Sequence, residues 1–333
     1  MPPTEAPPID SAKTLFEERV SALPDDSALP GLRSIRMRGL AETLPELNLG
    51  GGQAVIRMCN HHPGERAAIE VRAANRRFAI KFYADDPAAE AEVYQRLAVE
   101  GLAGDSGPRV PRLLGWDRDR KILVLSWLEG PSADRLVKNG KGSRAGELAA
   151  EWLRAASTRD VKIGPPRSGG YALYRVGMSV GALTAADAAL GTTAKRTAVI
   201  LVRTQPEGEG TPRLVHGTLY SRHIFDMGDG PGVIDWQQFG QGPLEVDAGM
   251  FLATISRVGI RHKESADDAT RATEAFIEGT RGLLDPNVLE WYWAASLLHL
   301  AARSLKTGLR PQPTLDASSV VGEAERRAER LET

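Results

Sequence analysis

One cysteine, Cys59, is all that the 333 residues hold. A lone thiol closes no internal disulfide and cannot by itself carry a structural zinc. A disulfide scaffold and a cysteine-built zinc module are therefore excluded, and the usage fits a reducing cytoplasm. An excess of either charge is missing as well: Lys+Arg 42 against Asp+Glu 43 gives a formal net charge of -1. That leaves no global field for a polyanion, and nucleic acid is not expected as a partner. Long apolar runs are absent. The most apolar late stretch, Trp291 to Ala302, spans about 12 residues where a membrane crossing needs roughly 20. It reads as a buried helix, and no membrane partner is expected. The first residues, MPPTEAPPID, lack the basic start and apolar centre of a signal peptide, so the expected location is the cytoplasm.

What is present is ordinary globular material, 42% hydrophobic and 26% charged, and at roughly 150 residues per domain the length leaves room for two domains or lobes. Residues 1–30 are Pro-rich with little periodicity and read as an extension, with one short helix from Ser11 to Leu23. Residues 31–130 read as a β-rich lobe. Three runs have strand chemistry, AVIRMC (54–59), AAIEVRA (67–73) and RFAIKFY (77–83), joined by a Pro63-Gly64 turn and by the polar link AANR. They predict an antiparallel meander. Residues 88–102 place Val93, Tyr94, Leu97, Ala98 and Leu102 at helical spacing. VPRLLGW and KILVLSWLEG then supply two further strands.

From 131 to 322 the pattern is helical, with helices expected over 144–157, 179–189, 194–203, 268–283 and 286–307. One β-rich interruption, LVHGTLYSRHIFDMGDGPGVIDW (214–236), reads as strand, polar loop and hairpin. Residues 323–333 read as the end of a charged helix. The expected fold is α+β and bilobal, a small antiparallel lobe with one helix beside a larger, mainly helical lobe.

Strand alternation sets Phe78, Ile80 and Phe82 on one face and Ala79, Lys81 and Tyr83 on the other. The Lys81 ammonium therefore calls for an anion, either a phosphate or Glu90 on the following helix. A strand lysine held by a helix carboxylate is a positioning device for ATP phosphates; the bland alternative is a snorkelling surface lysine. Asp235 ends the apolar strand GVIDW. A carboxylate there suits a hard cation, since Mg²⁺ is held by one or two carboxylates plus substrate phosphates, although Asp is also an ordinary turn residue.

The succession FAIKFY, AEAEVYQRL, PRLLGW, ILVLSWLEG, LVHGTLYSRHIF and GVIDWQQFGQGPLEVDAG resembles the aminoglycoside phosphotransferase and choline kinase family over about residues 50–255. The resemblance implies a protein-kinase-like fold that transfers the ATP γ-phosphate to a small-molecule hydroxyl. It further implies that Lys81 contacts the α- and β-phosphates, with Glu90, or Glu92 if the register slips, orienting it. His62, Pro63 and Gly64 would cover the phosphates, with Gly50–Gly52 as a rival that reads better as a linker. Ser126 and Leu128 would meet the adenine edge. Asp235 would ligate Mg²⁺, and Asp247 would support the loop that follows it.

Two chemical positions depart from that pattern. The family reads His-Gly-Asp with Asn five residues after the Asp; this chain has His216, Gly217, Thr218 and then His223. A Thr hydroxyl is neither a base nor an anion at neutral pH, and loss of such a group commonly costs about 10²- to 10⁴-fold. An imidazole at 223 suits Mn²⁺ or Zn²⁺ better than Mg²⁺. Asp226 and Asp229 cannot substitute as base, because both lie in a hairpin turn. The expectation is a protein that binds ATP and a divalent metal as a pseudokinase or very weak phosphotransferase, with an unidentified small-molecule acceptor or protein partner. Two alternatives stand: an active small-molecule kinase with His223 as relocated base, and a nucleotide-free structural subunit. Arg222 either binds a phosphate or is solvated. His61, His62, His262 and His299 lack metal-ligand spacing, Trp291, Tyr292 and Trp293 read as core, and the acids Glu264, Asp267, Asp268, Glu274 and Glu278 form either a wet helix face or a receiver for a cationic acceptor.

Overall fold

A computed structural model describes residues 22–48, 54–73, 76–208, 210–306 and 313–333. All but the last two residues of the helix expected from Ser11, the Gly50–Gly52 linker and the centre of the AANR link lie outside them. The chain divides into two compact units, one holding the residues up to 98 together with 111–128, the other 99–110 together with 129–333.

The first unit is built on an antiparallel five-stranded sheet. Strands β1 (Ala54–His62), β2 (Arg66–Ala73) and β3 (Arg76–Tyr83) form the expected meander, and β4 (Leu113–Asp117) and β5 (Ile122–Ser126) complete the order β1-β2-β3-β5-β4. Register follows the apolar alternation: Ile80 pairs with Ile69 and Val124, while Lys81 pairs with Ala68 and Leu123. Ile69, Val71, Ile80 and Phe82 are fully buried on one face.

That face is covered by helices α1 (Pro30–Arg38) and α2 (Leu40–Thr43), whose Leu32, Ile35 and Leu40 join the same core along with Leu23 and Leu29. They add to the single helix expected in this lobe, which is α3 (Ala88–Val99). Cys59 sits where the β1–β2 register shifts, between Met58 and Asn60, and is an exposed free thiol.

The second unit is mainly helical: α4 (Ala133–Lys138), α5 (Gly142–Ser157), α6 (Gly169–Ala186), α7 (Ala188–Arg203), α8 (Glu245–Arg261), α9 (Ala266–Gly279), α10 (Pro286–Lys306) and α11 (Pro313–Glu329). The helix expected at 179–189 begins ten residues earlier, at Gly169, because Gly169, Gly170, Gly177 and Gly181 dilute its helical signal. Asp187 then ends α6 and caps α7, accepting the Leu190 N–H at 2.9 Å. Trp291, Tyr292 and Trp293 fill the core of α10 as expected, with the Trp291 indole donating to the Leu201 carbonyl at 2.8 Å. None of the described helices is long and apolar enough to cross a membrane.

Short strands interrupt the helices: β6 (Arg213–Val215) pairs with β9 (Gly240–Gly242), and β7 (Ile224–Asp226) pairs with β8 (Pro231–Val233). Helices α5 and α9 approach until a Cβ on Gly146 would lie 2.1 Å from the Ala272 carbonyl oxygen. Gly146→Ala must push two backbones apart. A loss of about 1–3 kcal/mol is expected, read as a lower denaturation midpoint; an unchanged midpoint would show that this contact is not tight in solution.

Candidate functional site

In the first unit β3 and α3 bring Lys81 and Glu90 together. The ammonium lies 2.6 Å from Glu90 Oε1, and the Tyr83 hydroxyl donates to Oε2, also at 2.6 Å. Both carboxylate oxygens are thus engaged by side chains from one strand face, and both partners of the ion pair are largely withdrawn from water. The carboxylate is Glu90 and not Glu92, which is exposed and reaches Arg96 within its own helix. Tyr83 is missing from the expected set, although its position two residues after Lys81 places it on the same face.

The turn at His62, Pro63 and Gly64 joins β1 to β2 and is exposed. It is tethered by Asp26, which accepts the Gly64 N–H at 2.8 Å and meets the His61 Nε2 at 2.9 Å. These contacts hold the Asp26 carboxyl below the usual carboxylate range, the Gly64 N–H first among them. Ser126 ends β5, donating its N–H to the Arg112 carbonyl and accepting the Arg112 N–H on its hydroxyl. Leu128 follows two residues later and is half-buried.

In the second unit the segment from β6 to α8 carries the remaining predicted residues. Asp247, in the first turn of α8, is buried and accepts the N–H of His216 at 2.6 Å on Oδ2 and that of Gly217 at 2.8 Å on Oδ1. Gly217 turns with φ +76°, and a Cβ there would lie 2.0 Å from the Gln238 carbonyl oxygen, so only glycine fits. The His216 Nε2 lies 2.8 Å from the Ile234 carbonyl oxygen, which can only accept, so that nitrogen carries a proton. The Thr218 N–H points at Nδ1 from 3.4 Å, so both ring nitrogens of His216 face backbone groups of this unit.

Thr218 is buried beside this ring. His223 stacks near both His216 and Tyr220, at 5.4 and 5.0 Å between ring centres. Its Nε2 stands 3.6 Å from Asp235 Oδ2. Asp235 adopts φ 71° and ψ 61°, a left-handed conformation that costs a non-glycine residue about 1–3 kcal/mol and that concentrates at functional positions.

The structure therefore gathers His216, Thr218, His223 and Asp235 in one unit and Lys81 with Glu90 in the other. No group of three or more His, Cys, Asp or Glu side chains arranged to hold a metal occurs among the described residues. Asp235 with His223 supplies at most two ligands, a donor set that fits a cation completing its shell from phosphates and water. Of the acids expected on one helix face, Asp268 is buried and accepts the Gly142 N–H at 3.0 Å, so it serves packing.

Burial pushes the Asp247 carboxyl up to about 7 against its two N–H donors, from an ordinary value of 3.8. The folded form then binds the extra proton, so the stabilisation is complete below 3.8 and is lost as pH rises through about 7. Asp247→Asn cannot ionise. Between about pH 5 and pH 8 the stability of the wild type is expected to fall relative to that variant, measured by urea midpoints; parallel profiles would contradict a proton on Asp247.

The profile of the phosphotransferase enzyme family matches residues 64–286, well over half of the chain. No curated protein sequence matches it. Among solved structures, an aminoglycoside phosphotransferase from Streptomyces rimosus shares 21% identity at TM-score 0.52, covering 78% of this chain and 96% of that one. A choline/ethanolamine kinase family protein from Mesorhizobium loti shares 14% at TM-score 0.53, covering 96% and 94%. An ethanolamine kinase from Plasmodium vivax shares 12% at TM-score 0.54, covering 96% and 95%. At such identities these likenesses speak for the protein-kinase-like fold alone. The profile match, carried on a β-sheet unit and a helical unit of that architecture, means that the chain belongs to the phosphotransferase enzyme family.

Proposed function

We propose that this protein binds ATP with a divalent cation and transfers the γ-phosphoryl group poorly or not at all, acting in the cytoplasm as a nucleotide-binding pseudokinase. The observation that carries the proposal is a loop with its frame intact and its base position filled by a hydroxyl. Asp247 grips the His216 and Gly217 amides, yet the next residue is Thr218. In the resembled family an Asp there takes or steers the proton of the attacking hydroxyl.

Nucleotide binding is supported by the Lys81–Glu90 pair, which keeps a largely buried ammonium fixed on β3. Solved relatives of the same fold include complexes with ATP and with ADP, together with streptomycin, spectinomycin or hygromycin B. On this proposal His62, Pro63 and Gly64 lie over the phosphates, with Ser126 and Leu128 at the adenine edge. Asp235 and His223 hold the metal, Mg²⁺ or Mn²⁺, whose contribution when bound is to neutralise phosphate charge.

Thr218 cannot act as a base. His223, with its Nε2 3.6 Å from Asp235 Oδ2, is on this proposal given to the metal and not to the acceptor's proton. Phosphoryl transfer rests largely on positioning and electrostatics, which leaves room for residual turnover without a base.

ATP with Mg²⁺ or Mn²⁺ is expected to stabilise the full chain, by about 2.7 kcal/mol at a hundredfold excess over Kd. Asp235→Ala and Lys81→Ala should each reduce that shift. Turnover, followed as ADP release, should rise by about 10²-fold or more in Thr218→Asp with His223→Asn. A wild type that turns over ATP as fast as the double variant would refute the pseudokinase reading; a chain indifferent to ATP with either metal would point to a structural subunit instead.

A further inference from the structure

The loop from Tyr220 to Arg222 and helices α4 and α8 enclose an open cavity of about 210 Å³ in the second unit. Its wall carries Arg222, Arg257, Arg261 and Lys138 against one acid, Asp134. Two of the four cations are already answered. Lys138 reaches Asp134 at 3.3 Å, and Arg261 reaches Asp316, on α11, at 2.8 Å through Nε. At the rim His262 stands 3.5 Å from the exposed Glu264.

Arg222 and Arg257 have no carboxylate partner among the described residues. Arg222 lies over the Tyr220 ring, 4.2 Å from its centre, and Arg303 stands on that ring too, at 5.9 Å, with Nη1 3.4 Å from the Tyr220 oxygen. The phenol thus softens the repulsion among guanidiniums without neutralising it. Burial first, then the neighbouring Arg261 and Arg222, pushes the Arg257 guanidinium down to about 10.

Asp134 and Asp235 attract Arg222 from a distance without pairing with it; guanidiniums that outnumber the acids around them raise one another's energy, and an oxyanion between them relieves it. The planar fork matches phosphate and carboxylate bidentately. Such a wall repels a cationic acceptor, the less favoured of the two roles open to the acids Glu264, Asp267, Asp268, Glu274 and Glu278. Of these, Asp268 is spent on Arg271 and the Gly142 amide, and Glu264 faces His262 at the rim.

We propose that this cavity binds the oxyanion group of a small-molecule ligand, a phosphate monoester or a carboxylate, through Arg222 and Arg257. The inference extends the phosphotransferase reading, because the cavity shares the Tyr220–Arg222 loop with Thr218 and His223. It does not need nucleotide binding to be true.

The test is binding of inorganic phosphate and, separately, malonate to the full chain in metal-free buffer, read by thermal shift and calorimetry. Both anions are expected to bind, and spermidine is not. Arg222→Gln with Arg257→Gln should weaken binding about tenfold or more, since hydrogen bonds to charged groups contribute about 1.5–3 kcal/mol. Phosphate alone binding would assign a phosphate monoester, and malonate alone a carboxylate. Arg222→Gln changes an exposed residue and keeps the test decisive if the Arg257 change unfolds the chain; it should weaken binding severalfold by itself. Lys81→Ala reports on the other phosphate-binding candidate and should leave anion affinity unchanged. Phosphate binding that survives both arginine changes, or that vanishes in Lys81→Ala, overturns the proposal, as does binding of neither anion. ATP binding that fails while phosphate binding persists would sink the nucleotide reading and leave this one standing.

Discussion

Asp247 is the residue on which the geometry of the second unit's His216–Asp235 segment depends. A buried carboxylate is costly unless it is hydrogen-bonded, and here each oxygen accepts one backbone amide, from His216 and from Gly217. The two amides belong to consecutive residues, so the carboxylate fixes the orientation of the peptide plane between them. Gly217 must then take a left-handed conformation against the Gln238 carbonyl. The His216 ring turns onto the Ile234 carbonyl and stacks on Trp236, 4.9 Å away between ring centres. Ile234 lies directly before Asp235, and the Ile234 amide donates to the His223 carbonyl. The chain of contacts thus runs from one helix-borne acid to both residues proposed to hold a metal.

The first unit uses buried charge in two different ways. Glu70, fully buried on β2, collects Arg57 from β1, Arg72 from its own strand and Arg77 from β3. Those guanidiniums overcome its burial and hold its carboxyl down to about 2. The cluster pins strands side by side, and three cations on one acid leave no doubt about which effect wins. The Lys81–Glu90 pair is balanced one to one, and an apolar pair of the same volume would often be no less stable. A lysine is also compact and carries three donor hydrogens. Its place beside the buried Phe78, Ile80 and Phe82 of the same strand agrees with the phosphate-binding role proposed for it.

What could be seen in the sequence was whatever depends on local periodicity. The alternation of RFAIKFY put Lys81 opposite the core, and the helical spacing after Pro87 brought Glu90 within reach, both as the structure has them. The hairpin around Asp226 to Pro231 was equally visible. Asp247, which the family resemblance set under the loop after Asp235, instead holds the His216 and Gly217 amides that come before it. Asp26 was not visible. It lies 35 residues from His61 and is brought to the turn only by packing of Leu23 and Leu29 into the sheet's core, inside a segment whose prolines read as an extension. The start of α6 was hidden by its glycines. Arg257 shows nothing locally but an arginine on an amphipathic helix, and the role proposed for it arises from its sharing a cavity with Arg222, a placement that no periodicity encodes.

The changes in the loop act together on charge. Between Gly217 and Ile224 the sequence reads Thr-Leu-Tyr-Ser-Arg-His, with no acid and one certain cation. Relative to a loop bearing an Asp at the first of these positions, a negative charge is gone and the surroundings favour anions more. An anion-friendly loop stabilises a bound polyphosphate in its ground state as much as in any transition state, and uniform binding of that kind raises affinity without lowering the barrier to transfer. On the proposed reading, the absent base and the absent negative charge push in the same direction, toward holding a phosphorylated ligand and away from turning it over. The frame around Asp247 agrees with the proposed reading, in which a rigid, cationic loop serves binding and the Thr218 hydroxyl offers no base for proton transfer.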